Sequence, residues 1–346
     1  MTDPSGMSNG LITLREIEAA AARIQGVVVP TPLLSFPELS DAVGGEIRLK
    51  CENLQRSGSF KIRGALNFVA QIPAEGLERG VITYSSGNHG KAMALAARSK
   101  GVRAVVVMPR TAPGVKVEGT RRLGAEVVFA GTTSVHRQAR AEELAESQGL
   151  TMVPPFDHPW IIAGQGTVGR EIAIGWPEVD TVLAPVGGGG LSSGIAAALK
   201  AILPDVCFIG VEAEGAPGMR RALDAGEPVL LDHGDTIADG IRTLRVGDLT
   251  FRHARALFDD VVLVTDEAIR EAAALLLGGR KLVVEYSGAA ALAAILSRVV
   301  EARDRHIAVV LSGGNLDPSL LEPLSREPSS GFMAEGGVAE SRRGRA

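Results

Sequence analysis

Lys61 lies in the run Ser57-Gly58-Ser59-Phe60-Lys61-Ile62-Arg63-Gly64, beside an aromatic ring and at the expected start of a helix, with Ser59 as its N-cap. Both surroundings disfavour an ammonium ion. The positive end of a helix repels it, and partial desolvation penalises its charge. A lysine with a lowered pKa is a nucleophile toward carbonyls and a base toward activated C–H groups. Three glycine-rich segments accompany it: Ser85-Ser86-Gly87-Asn88-His89-Gly90, Gly187-Gly188-Gly189-Gly190-Leu191, and Ser312-Gly313-Gly314-Asn315. Glycines let backbone N–H groups converge on an anion with no Cβ in the way. The four consecutive glycines follow a strand-like run, Thr181 to Val186, and precede an alanine-rich helix. They therefore read as a phosphate cradle rather than a flexible linker. They match neither a Walker loop, for want of Gly-Lys-Ser/Thr, nor the G-x-G-x-x-G dinucleotide fingerprint.

A carbonyl-capturing lysine, a phosphate cradle and polar groups at strand ends suit one cofactor, pyridoxal 5'-phosphate (PLP). Lys61 is the candidate to hold its aldehyde and later to act as a base. The other lysines, Lys50, Lys91, Lys100, Lys116, Lys200 and Lys281, read as solvated charges at helix or strand-end positions. Asn88 can donate to the phenolic oxygen of the ring, and N–H groups of its turn, Ser85 to His89, can hold a substrate carboxylate. Ser312, at the end of the last expected strand, is a neutral partner for the pyridine nitrogen. A serine there, rather than an aspartate, leaves the ring less electron-poor. Early loss of a β-substituent, or prompt reprotonation of the α-carbon, is then favoured over transamination.

The elements that must position these groups alternate between helices and apolar strands. Leu14 to Arg23 has the spacing of an amphipathic helix, and Glu46 to Cys51 alternates like a strand with one wet face. Strands are expected at Val81 to Tyr84, Ala104 to Met108 and Glu126 to Phe129, with helices at Lys91 to Lys100, Val115 to Leu123 and Ser134 to Gln148. A second series has helices near Gly166 to Gly175, Leu191 to Leu203, Asp266 to Leu277 and Gly288 to Val300. Its strands are Thr181 to Val186, Cys207 to Val211, Val261 to Val264 and Ile307 to Leu311. Such alternation predicts α/β architecture, with mostly parallel sheets covered by helices.

The length of 346 residues allows one large or two medium domains. Aromatics make up only 4%, and the net charge of −4 is spread along the chain. No basic footprint of a nucleic-acid binder is present. Cys51 and Cys207 are far apart and lack metal-ligand spacing, as in a reducing cytoplasm. The polar start carries no secretion signal, and no apolar run reaches membrane-spanning length. A cytoplasmic protein is expected.

The sequence resembles the fold-type II PLP enzymes, and within them the threonine/serine dehydratases (ammonia-lyases) and serine racemases. The likeness runs from about residue 14 to 320 and includes Ser59 to Ala65, Ser85 to Gly90, Ala163-Gly164-Gln165-Gly166-Thr167, Gly187 to Leu191, Ala238-Asp239-Gly240-Ile241 and Ser312 to Asn315. It implies a tryptophan synthase β-like fold, two open twisted lobes with the cofactor in the cleft. Residues 1–79 and 158–322 would form the large domain, 80–157 a small mobile one, and 323–346 a disordered tail. The resemblance gives Lys61 the covalent link, Asn88 the ring oxygen, Gly187 to Leu191 the phosphate and Ser312 the ring nitrogen. Phe60 and Gly240 would line the two ring faces. Ser86 matches the serine that in racemases exchanges a proton on the face opposite Lys61, although many dehydratases carry the same Ser-Ser pair.

Metal-binding members supply a glutamate and, six residues on, an aspartate. Glu212 matches the first and Gly218 stands at the second, so a Mg²⁺ or Ca²⁺ site is carried over only in part. Tyr286 after Glu285, and Arg242-Thr243 after Gly240-Ile241, depart from the common pattern beside the expected substrate pocket. The implied activity is β-elimination (dehydration and deamination) of L-threonine and/or L-serine to a 2-oxo acid and ammonia, by a homodimer or homotetramer. A serine racemase, or a dehydratase of another β-hydroxy amino acid such as 3-hydroxyaspartate, is the alternative. A non-catalytic PLP- or nucleotide-binding regulator is the remote one.

Overall fold

The computed structural model describes residues 10–85, 87–112, 114–132 and 134–326. The chain begins with α1 (Leu14–Ile24), β1 (Leu33–Ser35), α2 (Pro37–Val43), β2 (Glu46–Cys51), α3 (Lys61–Val69) and α4 (Ala74–Arg79). A βα series follows: β3 (Val81–Tyr84), α5 (Asn88–Ser99), β4 (Ala104–Met108), α6 (Gly114–Arg122), β5 (Glu126–Phe129), α7 (Ser134–Gln148) and β6 (Thr151–Met152). Next come α8 (Pro159–Gly175), β7 (Thr181–Pro185), α9 (Gly190–Ile202), β8 (Cys207–Ala213) and α10 (Gly218–Ala225). The remainder is α11 (Asp248–Leu257), β9 (Asp260–Val264), α12 (Asp266–Arg280), α13 (Tyr286–Leu296), β10 (His306–Leu311) and α14 (Leu321–Arg326).

Two sheets result. The six-stranded one has the order β1-β2-β10-β7-β8-β9, parallel except for the antiparallel edge pair β1–β2. The four-stranded one, β5-β4-β3-β6, is parallel throughout. The expected α/β class with mostly parallel sheets is borne out. All five residues of β4 and of β7 are buried, as parallel strands covered on both faces require. Helix α13 packs on β10, β7 and β8, and α8 lies against α9.

The chain steps from β7 through β8 to β9 in one direction, then returns to place β10 on the other side of β7. This reversal opens a crevice at the carboxyl ends of β7 and β10, where open α/β sheets bind ligands. Gly187 and Ser312 follow those two strands. Buried side chains of α3, among them Ile62, Leu66 and Val69, share a core with Val81, Met93 and Val106 of the β3–α5–β4 unit. The helix carrying Lys61 is therefore packed between α5 of this unit and α8.

Local expectations fail in several places. Helix α8 begins at Pro159, seven residues before the expected Gly166, because His158 caps it by accepting from Trp160 N at 3.1 Å. Ser59 is not the cap of α3. Its backbone bridges to Gly313, and Phe60 takes the N-cap position with no side-chain hydrogen bond. Lys50 is 2% exposed rather than solvated. The tail expected to be disordered from 323 begins as helix α14, in which Leu324 is buried and which packs on α12. Residues from 327 lie outside those described.

Candidate cofactor site

Lys61 is the first residue of α3, where its side chain enters a cleft of about 760 Å³ lined from both sheets. Its Nζ donates to the Pro155 carbonyl at 2.8 Å and lies 5.1 Å from the centroid of the Phe60 ring. Burial lowers its pKa to about 8, against the opposing pull of the Glu285 charge. Burial and then the Lys61 charge push His89 down to about 3, so its ring is neutral. Its Nε2 faces the Val153 carbonyl at 3.1 Å.

The four glycines form a tight turn between β7 and α9, with Gly189 at φ +93°. A Cβ at Gly187 would come within 2.9 Å of Ile241 Cα, and one at Gly189 within 2.7 Å of Thr250 Cβ. At Gly188 and Gly190 the obstruction is Phe156, at 2.4 and 2.9 Å. Thr250 Oγ1 donates to the Gly188 carbonyl at 2.7 Å and holds the turn from behind. No side chain caps the start of α9, so the N–H groups of its first turn are left for a ligand. This is a cradle that only glycine can form. An alanine at 188 is expected to weaken PLP binding to the apoprotein by roughly tenfold or more, about 1.4 kcal/mol per factor of ten. Titration of G188A, with partial recovery in the double variant G188A/F156A, measures this.

Asn88 opens α5, donating from Nδ2 to Glu285 Oε1 and accepting at Oδ1 from Asn315 Nδ2 at 2.8 Å. Ser312, at the end of β10, is 4% exposed, and its carbonyl accepts from Phe60 N at 3.1 Å. Gly240 donates its N–H to Ser287 Oγ at 2.7 Å. Phe60, Lys61, Ser85, Gly87, Asn88, His89, the glycines 187 to 190, Leu191, Gly240 and Ser312 all line the one cleft. Ser86 falls outside the described residues.

Glu212 lies near the end of β8 and is buried. Its carboxylate accepts from the N–H groups of Met219 and Arg220 at 2.7 and 2.8 Å, at the start of α10. Among the described residues no group of three or more His, Cys, Asp or Glu is placed to hold a metal ion.

Sequence reasoning missed several cleft residues. Lys91 and Lys116, read as solvated, line the cleft. Lys91 donates to Asn315 Oδ1 at 3.1 Å, and Lys116 pairs with Asp239 at 3.1 Å. Arg137 also faces it, with a buried Nε that has no hydrogen-bond partner. The spacing Asn88-x-x-Lys91, one helical turn, was the available signal for the first.

An ε-amine with a low pKa, a glycine turn with free N–H groups, and an amide and a neutral hydroxyl lining the same cleft form a donor set that fits PLP. The family described as "Pyridoxal-phosphate dependent enzyme" matches residues 24–313. The chain belongs to this family. Among similar PLP enzymes is the L-threonine ammonia-lyase of Thermotoga maritima, 42% identical over 314 residues, covering 91% of this chain and 78% of the relative. A serine racemase of Oryza sativa subsp. indica is 39% identical over 313 residues, covering 89% and 92%. The solved structure of maize serine racemase superposes with a TM-score of 0.87 at 38% identity, covering 90% of this chain and 96% of that one.

Proposed function

We propose that this enzyme is a PLP-dependent ammonia-lyase that converts L-threonine or L-serine to a 2-oxo acid and ammonia. The observation that carries this reading is the convergence of Lys61, the Gly187–Gly190 cradle, Asn88 and Ser312 in one cleft. The similarity to the L-threonine ammonia-lyase of Thermotoga maritima supports the substrate class.

When bound, PLP supplies an aldehyde that captures the substrate amine and a ring that draws electrons from the α-carbon. Lys61 holds the cofactor at rest, and its amine, with a pKa of about 8, then takes the α-proton. Backbone N–H groups of the turn from Ser85 to His89, at the start of α5, hold the substrate carboxylate. Gly187 to Leu191 would hold the phosphate, Ser312 would partner the ring nitrogen, and Phe60 and Gly240 would line the ring pocket. Residues 80–157 act as a small domain that closes on residues 1–79 and 158–322, excluding water. The Lys116–Asp239 and Lys91–Asn315 pairs, each joining the two parts, support that arrangement. A cytoplasmic homodimer or homotetramer is the proposed setting. Among the described residues no helix is long and apolar enough to cross a membrane.

Serine racemisation is the second reading, supported by the likeness to the maize enzyme. In it Ser86 would exchange the proton on the face opposite Lys61. A panel of β-hydroxy amino acids, including 3-hydroxyaspartate, separates the two. The expected result is 2-oxo acid and ammonia in equal amounts, fastest from L-threonine or L-serine. D-serine accumulating with little 2-oxo acid would overturn the lyase in favour of the racemase.

A further inference from the structure

Glu285 precedes α13, is 7% exposed, and turns its carboxyl into the cleft beside Asn88. The contacts around it fix which way the Asn88 amide points. Asn315 Nδ2 donates both to Asn88 Oδ1 at 2.8 Å and to the Ser57 carbonyl at 2.9 Å, while Lys91 Nζ donates to Asn315 Oδ1 at 3.1 Å. Asn315 is thus set with its nitrogen toward Asn88, and Asn88 with its own nitrogen toward Glu285. One N–H of Asn88 goes to Glu285, and the second is left for an acceptor in the cleft. A Cβ at Gly313 would lie 2.3 Å from Glu285 Oε1, the oxygen that accepts from Asn88, so only glycine leaves room for the carboxyl there.

Four ionisable groups face Glu285: Lys61 from α3, Lys91 from α5, Lys116 from α6 and Asp239 from the loop before α11. Burial, with Asp239 adding to it, raises its pKa to about 7, against the Asn88 hydrogen bond and the two lysines Lys116 and Lys91. The carboxyl is therefore divided between its two forms at neutral pH. PLP brings a phosphate and a phenolic oxygen, both negative, into the same cleft. An ionised carboxylate there would oppose it, whereas a protonated one still accepts from Asn88.

We propose that Glu285 is a positioning residue that aims the Asn88 amide at the phenolic oxygen of PLP, and that cofactor binding draws a solvent proton onto its carboxyl. The only bond formed on Glu285 is O–H. The inference rests on Asn88 being the ring-oxygen contact of the proposed enzyme. By linkage, a proton taken up on binding makes affinity fall as pH rises.

The test is the dissociation constant of PLP for the apoprotein between pH 6 and 8.5, in wild type and in Glu285→Gln. Glutamine keeps an acceptor for Asn88 but cannot ionise. The two proteins are expected to bind alike at pH 6, and wild type to weaken relative to E285Q by about tenfold or more at pH 8.5. Titration of the phosphate is common to both and cancels in the ratio, whereas Lys61 loses the opposing Glu285 charge in E285Q, so its titration is measured separately in each protein. A ratio independent of pH would overturn the proposal while leaving the enzyme reading intact. Failure of both proteins to bind PLP would overturn the two together. Where the glutamine variant does not fold, Glu285→Leu, which neither ionises nor accepts from Asn88, is expected to bind PLP more weakly than wild type at pH 6 and to close that gap as pH rises.

Discussion

Lys61→Ala lowers turnover of L-threonine and L-serine by about 10⁴-fold or more, the upper end for one positioned acid–base group, because the same amine also holds the cofactor. The variant stays folded. It loses a single hydrogen bond to the Pro155 carbonyl, a change of about 1 kcal/mol, and relieves the burial that depresses the amine's pKa. It still binds PLP through the Gly187–Gly190 cradle, which does not involve Lys61. Borohydride reduction followed by peptide mass spectrometry makes the separation. Wild type carries the reduced adduct at Lys61, and K61A carries none yet retains PLP that dialysis removes. An adduct on Lys91 or Lys116, the other lysines in the cleft, would move the covalent role to that residue.

Much of this was readable from residue order alone, and the failures share a cause. Strands Glu46–Cys51, Val81–Tyr84, Ala104–Met108 and Glu126–Phe129 and helix Ser134–Gln148 have the bounds that apolar runs and their breakers imply. Helix Asp248–Leu257 left no comparable trace. The N–H groups of Asp248, Leu249 and Thr250 are satisfied by the Asp157 carboxylate, a partner 91 to 93 positions earlier in the chain. Helix α5 starts at Asn88 and not at Lys91, since Gly90, a weak helix former, fits where a Cβ would lie 2.4 Å from the Ser85 carbonyl. The glycine turns and Lys61 announced themselves because their chemistry is local. Lys50, Lys91, Lys116 and Glu285 did not, because their burial depends on Glu171, Asn315, Asp239 and Asn88, none of them near in sequence.

The same dependence on distant partners makes Arg63 the most consequential structural residue near Lys61. Its guanidinium is fully buried one half-turn beyond Lys61 on α3. It donates to Glu52 through Nε and Nη2, both at 2.8 Å, to Glu171 at 2.6 and 2.9 Å, and to Thr167 Oγ1 at 3.0 Å. Lys50 completes a neutral quartet, donating to Glu171 at 2.6 Å. Burial alone would push Glu52 up, but the Arg63 charge and hydrogen bonds, with Lys50 and Thr31, outweigh it and hold the carboxyl below its ordinary value of 4.5.

Arg63→Ala strands the Glu52 carboxylate and leaves Glu171 with Lys50 alone, and a loss of about 3–5 kcal/mol is expected at pH 7, as when one member of a buried ion pair is removed. Arg63→Lys recovers only part of it, because one ammonium cannot span both carboxylates with a planar fork. A group whose folded pKa is depressed contributes stability above its unfolded pKa and loses it as pH falls through the folded value. The gap between wild type and R63A in urea unfolding is therefore expected to be widest at neutral pH and to narrow as pH falls, because burial without Arg63 raises Glu52 above its ordinary value and the variant takes up that proton before wild type does. Equal gaps at pH 7 and pH 4 would show that Arg63 acts through packing alone. Because α3 presents Lys61, R63A is also expected to retain less PLP than wild type at equal concentration, even where it remains folded. That coupling ties the charge quartet beneath the helix to the amine at its first residue.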